Sequence, residues 1–169
     1  MTLSAVSSAR PNFYTNVIVK DARFKSTAAI HDMLLLEPVT RAAVQAVIAD
    51  AEKLGIPLMP WETYRSKERQ ALLFAKKATK LKNVGVHHYG LACDLVKSID
   101  GQPSWKGDFG FLLKLARKHG LISGQDWGEP DKPHTFIDAC HVQRITVARQ
   151  KALFAGTWYP APDYDPFGG

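Results

Sequence analysis

The sequence has little cysteine and no long hydrophobic run. Two cysteines in 169 residues, Cys93 and Cys140, are too few for a disulfide framework or for a metal site built from four thiolates. The apolar stretches are short, such as residues 33–36, whereas a membrane-spanning helix needs roughly 18 consecutive apolar residues. These absences exclude a disulfide-rich scaffold and a membrane-spanning helix, so stability must come from an ordinary hydrophobic core.

The first residues lack the marks of a secretory signal. Residues 1–14 carry neither a basic start nor an apolar segment of about 7–15 residues. We therefore expect a protein made in the cytoplasm without a Sec-type export signal.

Repeats and low-complexity segments are also missing. With 46% hydrophobic and 22% charged residues, the composition is that of an average globular protein, which excludes a disordered or fibrous chain.

Positive charge exceeds negative charge, with 22 Lys and Arg against 16 Asp and Glu, a formal net charge of +6. Such an excess attracts polyanions, including nucleic acid, anionic membrane surfaces and acidic cell walls. No recognition helix and no aromatic RNA-binding motif accompanies the charge. We therefore expect no nucleic-acid partner. From the short apolar runs we expect no stable membrane insertion. We also expect a monomeric protein.

The length suits one domain over residues 1–169. We expect an N-terminal arm over 1–26, a core over 27–155 and a C-terminal tail over 156–169. Within them, the apolar pattern predicts an α+β domain with a small, mainly antiparallel sheet and flanking helices. The predicted helices cover residues 38–54, 66–78, 108–119 and 146–155. The predicted extended segments lie within 56–63, 91–98 and 135–145. In the second helix one face is expected to carry Ala71, Leu72 and Ala75.

Three of the six histidines, His87, His88 and His141, lie in two short segments that also contain aspartate, residues 85–96 and 136–145. In the first segment His87 and Asp94 are seven positions apart, with Gly90 between them. A glycine allows a tight turn or a close approach of the backbone, so a loop histidine and a strand aspartate could converge on one point. The spacing by itself also arises by chance.

The second segment, residues 136–145, contains Asp138 and His141. Two imidazoles and one carboxylate from the two segments make a three-ligand set that leaves a fourth position for water, the pattern of a catalytic zinc site. A second carboxylate nearby could act as a base on that water. The same donors would also hold other divalent ions.

Three motifs follow one another along the chain. Residues 64–66 read Tyr-Arg-Ser and are followed by Gln70 and Leu72; residues 87–94 read His-His-Tyr-Gly-Leu-Ala-Cys-Asp; residues 138–143 read Asp-Ala-Cys-His-Val-Gln. In this order they resemble the signature of the D-alanyl-D-alanine carboxypeptidase-like zinc peptidases. That group shares its metal-site architecture with lysostaphin and the hedgehog domain, and includes phage L-alanyl-D-glutamate endolysins.

The resemblance implies roles for individual residues. His87, Asp94 and His141 would bind zinc, and Asp138 would be the general base that takes a proton from water and returns it to the leaving amine. Arg65 would hold or polarise the substrate, for which a permanently charged, forked guanidinium is suited.

Two residues beside the motifs are assigned to the substrate cleft. His88 follows a ligand and points the opposite way on an extended chain, and Trp127 lies in the loop before the last motif. For both, the alternative is a purely structural role. The chain departs from the family pattern at Gly85, where Ser or Thr is usual, and at residues 127–130, where a Trp-Gly-Gly loop is expected.

A rival closing motif lies at residues 131–134, which also read Asp-x-x-His. We prefer His141 over His134 as the ligand because Val142 and Gln143 follow it, as the motif requires.

The resemblance implies a zinc-dependent peptidoglycan peptidase that hydrolyses the stem peptide, most closely an L-alanyl-D-glutamate endopeptidase of the endolysin type. Such enzymes reach the wall through a holin-type pore made by another protein. Two alternatives are a D,D-carboxypeptidase acting on D-alanyl-D-alanine and a catalytically inactive, metal-stabilised binding module.

Overall fold

The computed structural model describes residues 11–77, 84–126 and 139–168. Over these ranges the chain combines helices with a five-stranded sheet whose strand pairs are all antiparallel. The helices are α1 (Pro38–Lys53), α2 (Lys67–Ala75), α3 (Gly110–Lys118) and α4 (Gln150–Phe154). The strands are β1 (Leu58–Glu62), β2 (Ala92–Ile99), β3 (Gln102–Ser104), β4 (Ile122–Ser123) and β5 (His141–Gln143). The predicted α+β class with a mainly antiparallel sheet is confirmed.

Strand β2 is the centre of the sheet, whose order is β1-β2-β5-β4. β1 pairs along one edge of β2, and the other edge pairs with β5 near its start and with β3 near its end. In this register Asp94 lies between Glu62 of β1 and His141 of β5. Cross-strand neighbours project to the same face of a sheet, so these three polar side chains share one face.

Helices α1 and α2 begin at residues whose chemistry suits a helix start. Pro38 occupies the first turn of α1, and the Glu37 carboxylate accepts a hydrogen bond from the backbone N–H of Thr40 at 2.7 Å. The Ser66 hydroxyl caps α2 by accepting from the N–H of Arg69 at 2.9 Å. Each cap satisfies a backbone donor that has no partner inside its helix.

The hydrophobic core lies between the sheet and the pair α1 and α3. Cys93 and Leu95 flank Asp94 along β2 and are fully buried in this core, so Asp94 projects to the opposite face. Both cysteines are buried. The other fully buried members include Val44, Val47, Ala51, Leu112, Ala116, Leu121 and Val142.

The segments before α1 and after α4 pack onto the site region. The N-terminal segment contains a short π-helical turn, Tyr14–Ile18, and Ile18 is buried beside Tyr64. In the segment after α4, the carbonyl oxygen of Ala161 accepts a hydrogen bond from the Arg144 guanidinium at 2.6 Å. Arg144 also pairs with buried Glu37 at 3.2 Å. None of the helices in the described ranges has the length and apolar character to cross a membrane.

Candidate metal centre

His87 lies in a short 3-10 helix, Val86–Tyr89, that leads into β2. The turn between them needs glycine: Gly90 has a φ of +76°, and a Cβ there would lie 2.8 Å from Ile18 Cδ1 and 3.0 Å from the Leu35 carbonyl oxygen. The glycine predicted to bring the loop histidine towards the strand aspartate therefore does so through its left-handed backbone and its close packing.

The three sequence-predicted ligands converge on one buried point. Asp94 Oδ1 lies 3.3 Å from His87 Nε2 and 3.2 Å from His141 Nδ1. The donor atoms of the three residues all lie within 4.8 Å of one another, which is the proximity that a shared ion requires. Within the described ranges, this is the group of histidine and acidic side chains that could hold a metal.

The hydrogen bond of His87 fixes which ring nitrogen faces the cluster. Its Nδ1 lies 2.8 Å from the Thr63 carbonyl oxygen, which can only accept, so Nδ1 carries the proton. Nε2 then offers a lone pair towards Asp94. This nitrogen is buried and has no hydrogen-bond partner in the described part of the chain. An orphaned acceptor beside a carboxylate is the expected state of a metal ligand.

His141 is oriented by Gln143. The Gln143 amide nitrogen donates to the Ile145 carbonyl at 2.7 Å and to the Gln150 amide oxygen at 3.2 Å, which turns Gln143 Oε1 towards the imidazole. His141 Nε2 donates to that oxygen at 2.8 Å, so Nδ1 offers its lone pair towards Asp94. Such partners fix the tautomer and the orientation of a metal-ligating imidazole.

The electrostatics of Asp94 favour its ionised form. Burial raises the pKa of this carboxyl, but the interactions with His87 and His141 lower it further, and the pKa lies well below its usual range. The site therefore offers two imidazole nitrogens and one carboxylate. This donor set fits zinc with an open fourth position.

Arg65 lies against the centre, and its role in substrate binding stays a prediction. Its Nη2 donates to Glu62 Oε1 at 2.9 Å and lies 3.4 Å from Asp94 Oδ2, and its Nη1 donates to the Gln70 amide oxygen at 3.3 Å. Sequence analysis did not identify Glu62. The available signal was a carboxylate at the end of an apolar strand, three positions before Arg65.

His88 lies in an aromatic pocket formed with the N-terminal segment. Its Nε2 lies 2.9 Å from the Tyr14 hydroxyl and its Nδ1 lies 3.3 Å from the Arg65 carbonyl oxygen. Burial lowers the pKa of His88 to about 4, so the ring is neutral at pH 7. The structure therefore shows a packing role for His88, and its assignment to the substrate cleft stays a prediction.

Three sequence-predicted residues, Asp138, Trp127 and His134, lie outside the described residues. The choice of Asp138 as the base, of Trp127 as a cleft wall and of His141 over its rival His134 accordingly stay predictions. Within the described ranges, a turn at Ala139 and Cys140 leads directly into β5.

The chain is similar to proteins of known activity. The peptidoglycan L-alanyl-D-glutamate endopeptidase CwlK of Bacillus subtilis (strain 168) is 28% identical over 132 residues, covering 64% of this chain and 79% of that protein. No family model matches the sequence.

Solved structures share the fold. The Serratia marcescens L-Ala D-Glu endopeptidase ChiX superposes with a TM-score of 0.53 at 20% identity, over 74% of this chain and 91% of that one. The L,D-carboxypeptidase DacB from Streptococcus pneumonia superposes with a TM-score of 0.51 at 18% identity, over 72% of each chain. The chain is therefore similar in sequence to CwlK and shares the fold of the endopeptidase ChiX and the carboxypeptidase DacB.

Proposed function

We propose that the chain is a zinc-dependent hydrolase that cleaves the stem peptide of peptidoglycan between L-alanine and D-glutamate. The observation that carries this proposal is the buried convergence of His87, Asp94 and His141, with one lone pair of each imidazole directed at the carboxylate. CwlK and ChiX are both named as L-alanyl-D-glutamate endopeptidases, which supports the choice of bond.

Each site residue has a separate role in the proposed peptide hydrolysis. His87, Asp94 and His141 would hold a zinc ion, which when bound would supply a Lewis acid and lower the pKa of a water molecule to about 7. Thr63 and Gln143 hold the two imidazoles in the tautomers that can ligate. Asp138 is assigned the proton transfer from water to the leaving amine, a step that typically contributes about 10²–10⁴-fold to the rate.

Arg65 is assigned to the substrate. A guanidinium is permanently charged and donates in a fork, so it can hold a carboxylate or polarise the carbonyl under attack. Its side chain lies at the Asp94 carboxylate and is mostly buried, where a hydrogen bond to developing negative charge is worth more than in water. His88 and Trp127 remain the further candidates for contact with the peptide.

The proposed setting is that of a monomeric, bacteriolytic endolysin that reaches the wall through a holin-type pore. The net charge of +6 supports attraction to an anionic cell wall, an interaction that salt would screen. Wall binding that does not weaken with salt would argue against this use of the charge.

The test is mass spectrometry of purified peptidoglycan digested with the wild-type protein and with Asp138→Ala, with zinc measured in both. We expect new N-terminal D-glutamate with the wild type, and at least a roughly 100-fold lower rate with Asp138→Ala at unchanged zinc content. Release of D-alanine alone would indicate a D,D-carboxypeptidase. Bound zinc with no cleavage of any wall peptide would indicate a binding module.

A further inference from the structure

Glu62 is a buried carboxylate beside the metal centre, and the proposed reaction gives Glu62 no role. Its side chain is almost completely buried, and the residue is 1% exposed. It accepts a hydrogen bond from Arg65 Nη2 at 2.9 Å and forms a second ion pair with the Arg69 guanidinium. Buried charges persist in proteins when they are paired and hydrogen-bonded, and both conditions are met at Glu62.

The register of the sheet places this carboxylate opposite a metal ligand. Glu62 of β1 and Asp94 of β2 are cross-strand partners, and like charges in that arrangement repel. The guanidinium of Arg65 lies between them, 2.9 Å from Glu62 and 3.4 Å from Asp94. The shorter contact of Arg65 is with Glu62, which is not one of the candidate metal ligands.

Arg69 compensates the charge of Glu62 from the other side. Its Nη1 also donates to the Thr27 carbonyl at 3.2 Å, which ties the ion pair to the N-terminal segment. Two carboxylates and two guanidinium groups thus form one balanced cluster. Because Arg69 contacts both oxygens of Glu62, the charge of Glu62 is balanced while it holds Arg65.

We propose that Glu62 is a positioning residue that holds Arg65 within reach of the substrate and prevents it from pairing fully with Asp94. This inference rests on the proposed function. Without the Glu62 charge, the nearest carboxylate to Arg65 among the residues that the structure describes is Asp94, and a two-pronged pairing there would engage the oxygens that the metal needs. Glu62 therefore acts on both substrate and metal through the position of one guanidinium.

The test is the affinity for zinc, measured by chelator competition, because this measurement needs no substrate. Loss of a residue that orients a metal ligand typically costs about 10–100-fold in affinity or activity. We expect Glu62→Gln to lower zinc affinity by about 10-fold when Arg65 is present, and not to lower it in an Arg65→Met background. An equal loss in both backgrounds, or no loss in either, would overturn the proposal.

A matched control is Glu37→Gln, which alters another buried carboxylate paired with an arginine, Arg144, at 3.2 Å. This variant should lower the thermal unfolding temperature without changing zinc affinity. If Glu62→Gln does not fold, Glu62→Asp replaces it. Because Glu62→Asp keeps the charge, it should hold zinc more tightly than Glu62→Ala, and equal affinities in these two variants would contradict the proposal.

The second readout is the rate on peptidoglycan at saturating zinc. Glu62→Gln should lower kcat/KM by about 10–100-fold alone and add little to Arg65→Met. If the two losses multiply, Glu62 does not act through Arg65. A wild-type protein that cleaves no peptidoglycan would refute the proposed function, while the zinc-affinity comparison would still decide the role of Glu62.

Discussion

The imidazole Nδ1 of His141 lies 3.2 Å from Asp94 Oδ1, the carboxylate of its cross-strand neighbour in the central part of the sheet. The pairing of β5 with β2 therefore sets the spacing of two candidate ligands directly. The third ligand, His87, reaches the same oxygen from a loop closed by Gly90. The centre is built on rigid strands, which suits a site that must hold ligands in a fixed geometry.

Gln143 is predicted to support metal binding through His141. Gln143→Met removes the acceptor for His141 Nε2–H, so the ring can rotate or change tautomer. We expect zinc affinity to fall by about 10–100-fold in a chelator competition. Gln150→Met is the control because it removes one of the two contacts that orient the Gln143 amide but keeps the acceptor for the imidazole. Equal zinc affinities in the two variants would show that Gln143 does not orient the ligand.

Gly90 is predicted to be required both for stability and for the metal centre. In Gly90→Ala the new Cβ would clash with Ile18 Cδ1 at 2.8 Å in addition to the strain of a positive φ. Gly120→Ala is the control, since its φ is +77° and nothing lies within 4 Å.

A left-handed alanine costs about 1–3 kcal/mol, and overpacking adds about 1–3 kcal/mol. Chemical denaturation should therefore give a larger loss of unfolding free energy for Gly90→Ala than for Gly120→Ala, with a loss of zinc affinity confined to Gly90→Ala. Equal losses in the two variants would contradict the close packing at Gly90.

The lowered pKa of Asp50 predicts that the free energy of unfolding falls at low pH. The Asp50 carboxyl lies on α1 and accepts hydrogen bonds from Lys118, at the end of α3, and from His119, which follows it. These hydrogen bonds hold the pKa of Asp50 at about 2. A carboxyl with a lowered pKa stabilises the fold above its unfolded value of about 3.9, and this contribution is lost as pH falls towards 2.

Urea unfolding of the wild type and of Asp50→Asn at pH 6, 4 and 2 checks this. The difference in unfolding free energy should be largest at pH 6, begin to shrink near pH 4 and become small near pH 2. A difference that stays constant over this range would show that the ionised carboxylate is not the source of stability.

The buried pair of Glu37 and Arg144 is predicted to hold the C-terminal segment. Arg144→Met leaves the Glu37 carboxylate buried without its cation and removes the hydrogen bonds to the carbonyls of Ala161 and Pro162. Breaking a buried pair from one side typically costs about 3–5 kcal/mol. The double variant Glu37→Gln/Arg144→Met should recover part of that loss in a denaturation experiment, and additive losses would contradict direct coupling.

The sequence predicts the class of fold and the metal cluster because both depend on local signals. Pro38 and Ser66 mark helix starts by their backbone and side-chain chemistry, and the structure has helices there. Gly90 reveals a turn because few other residues adopt its φ. Strand pairing brings His141 to Asp94 and the turn at Gly90 brings His87, a convergence that the resemblance to the zinc peptidases implies.

Other features depend on long-range packing that no local pattern shows. The predicted common face of Ala71, Leu72 and Ala75 is exposed, with Leu72 46% accessible, and α2 instead buries Gln70 beside Arg65. A polar contact with the site thus determines which side of this helix faces inwards. The role of Glu62 follows from a register that places it opposite Asp94, which its own neighbours in sequence do not indicate.

The most direct test of the metal centre is zinc content measured by atomic spectroscopy, on the wild type, His141→Ala and His134→Ala purified under identical conditions. We expect close to one zinc per chain in the wild type and in His134→Ala, and almost none in His141→Ala. Zinc retained by His141→Ala and lost by His134→Ala would contradict the centre formed by His87, Asp94 and His141.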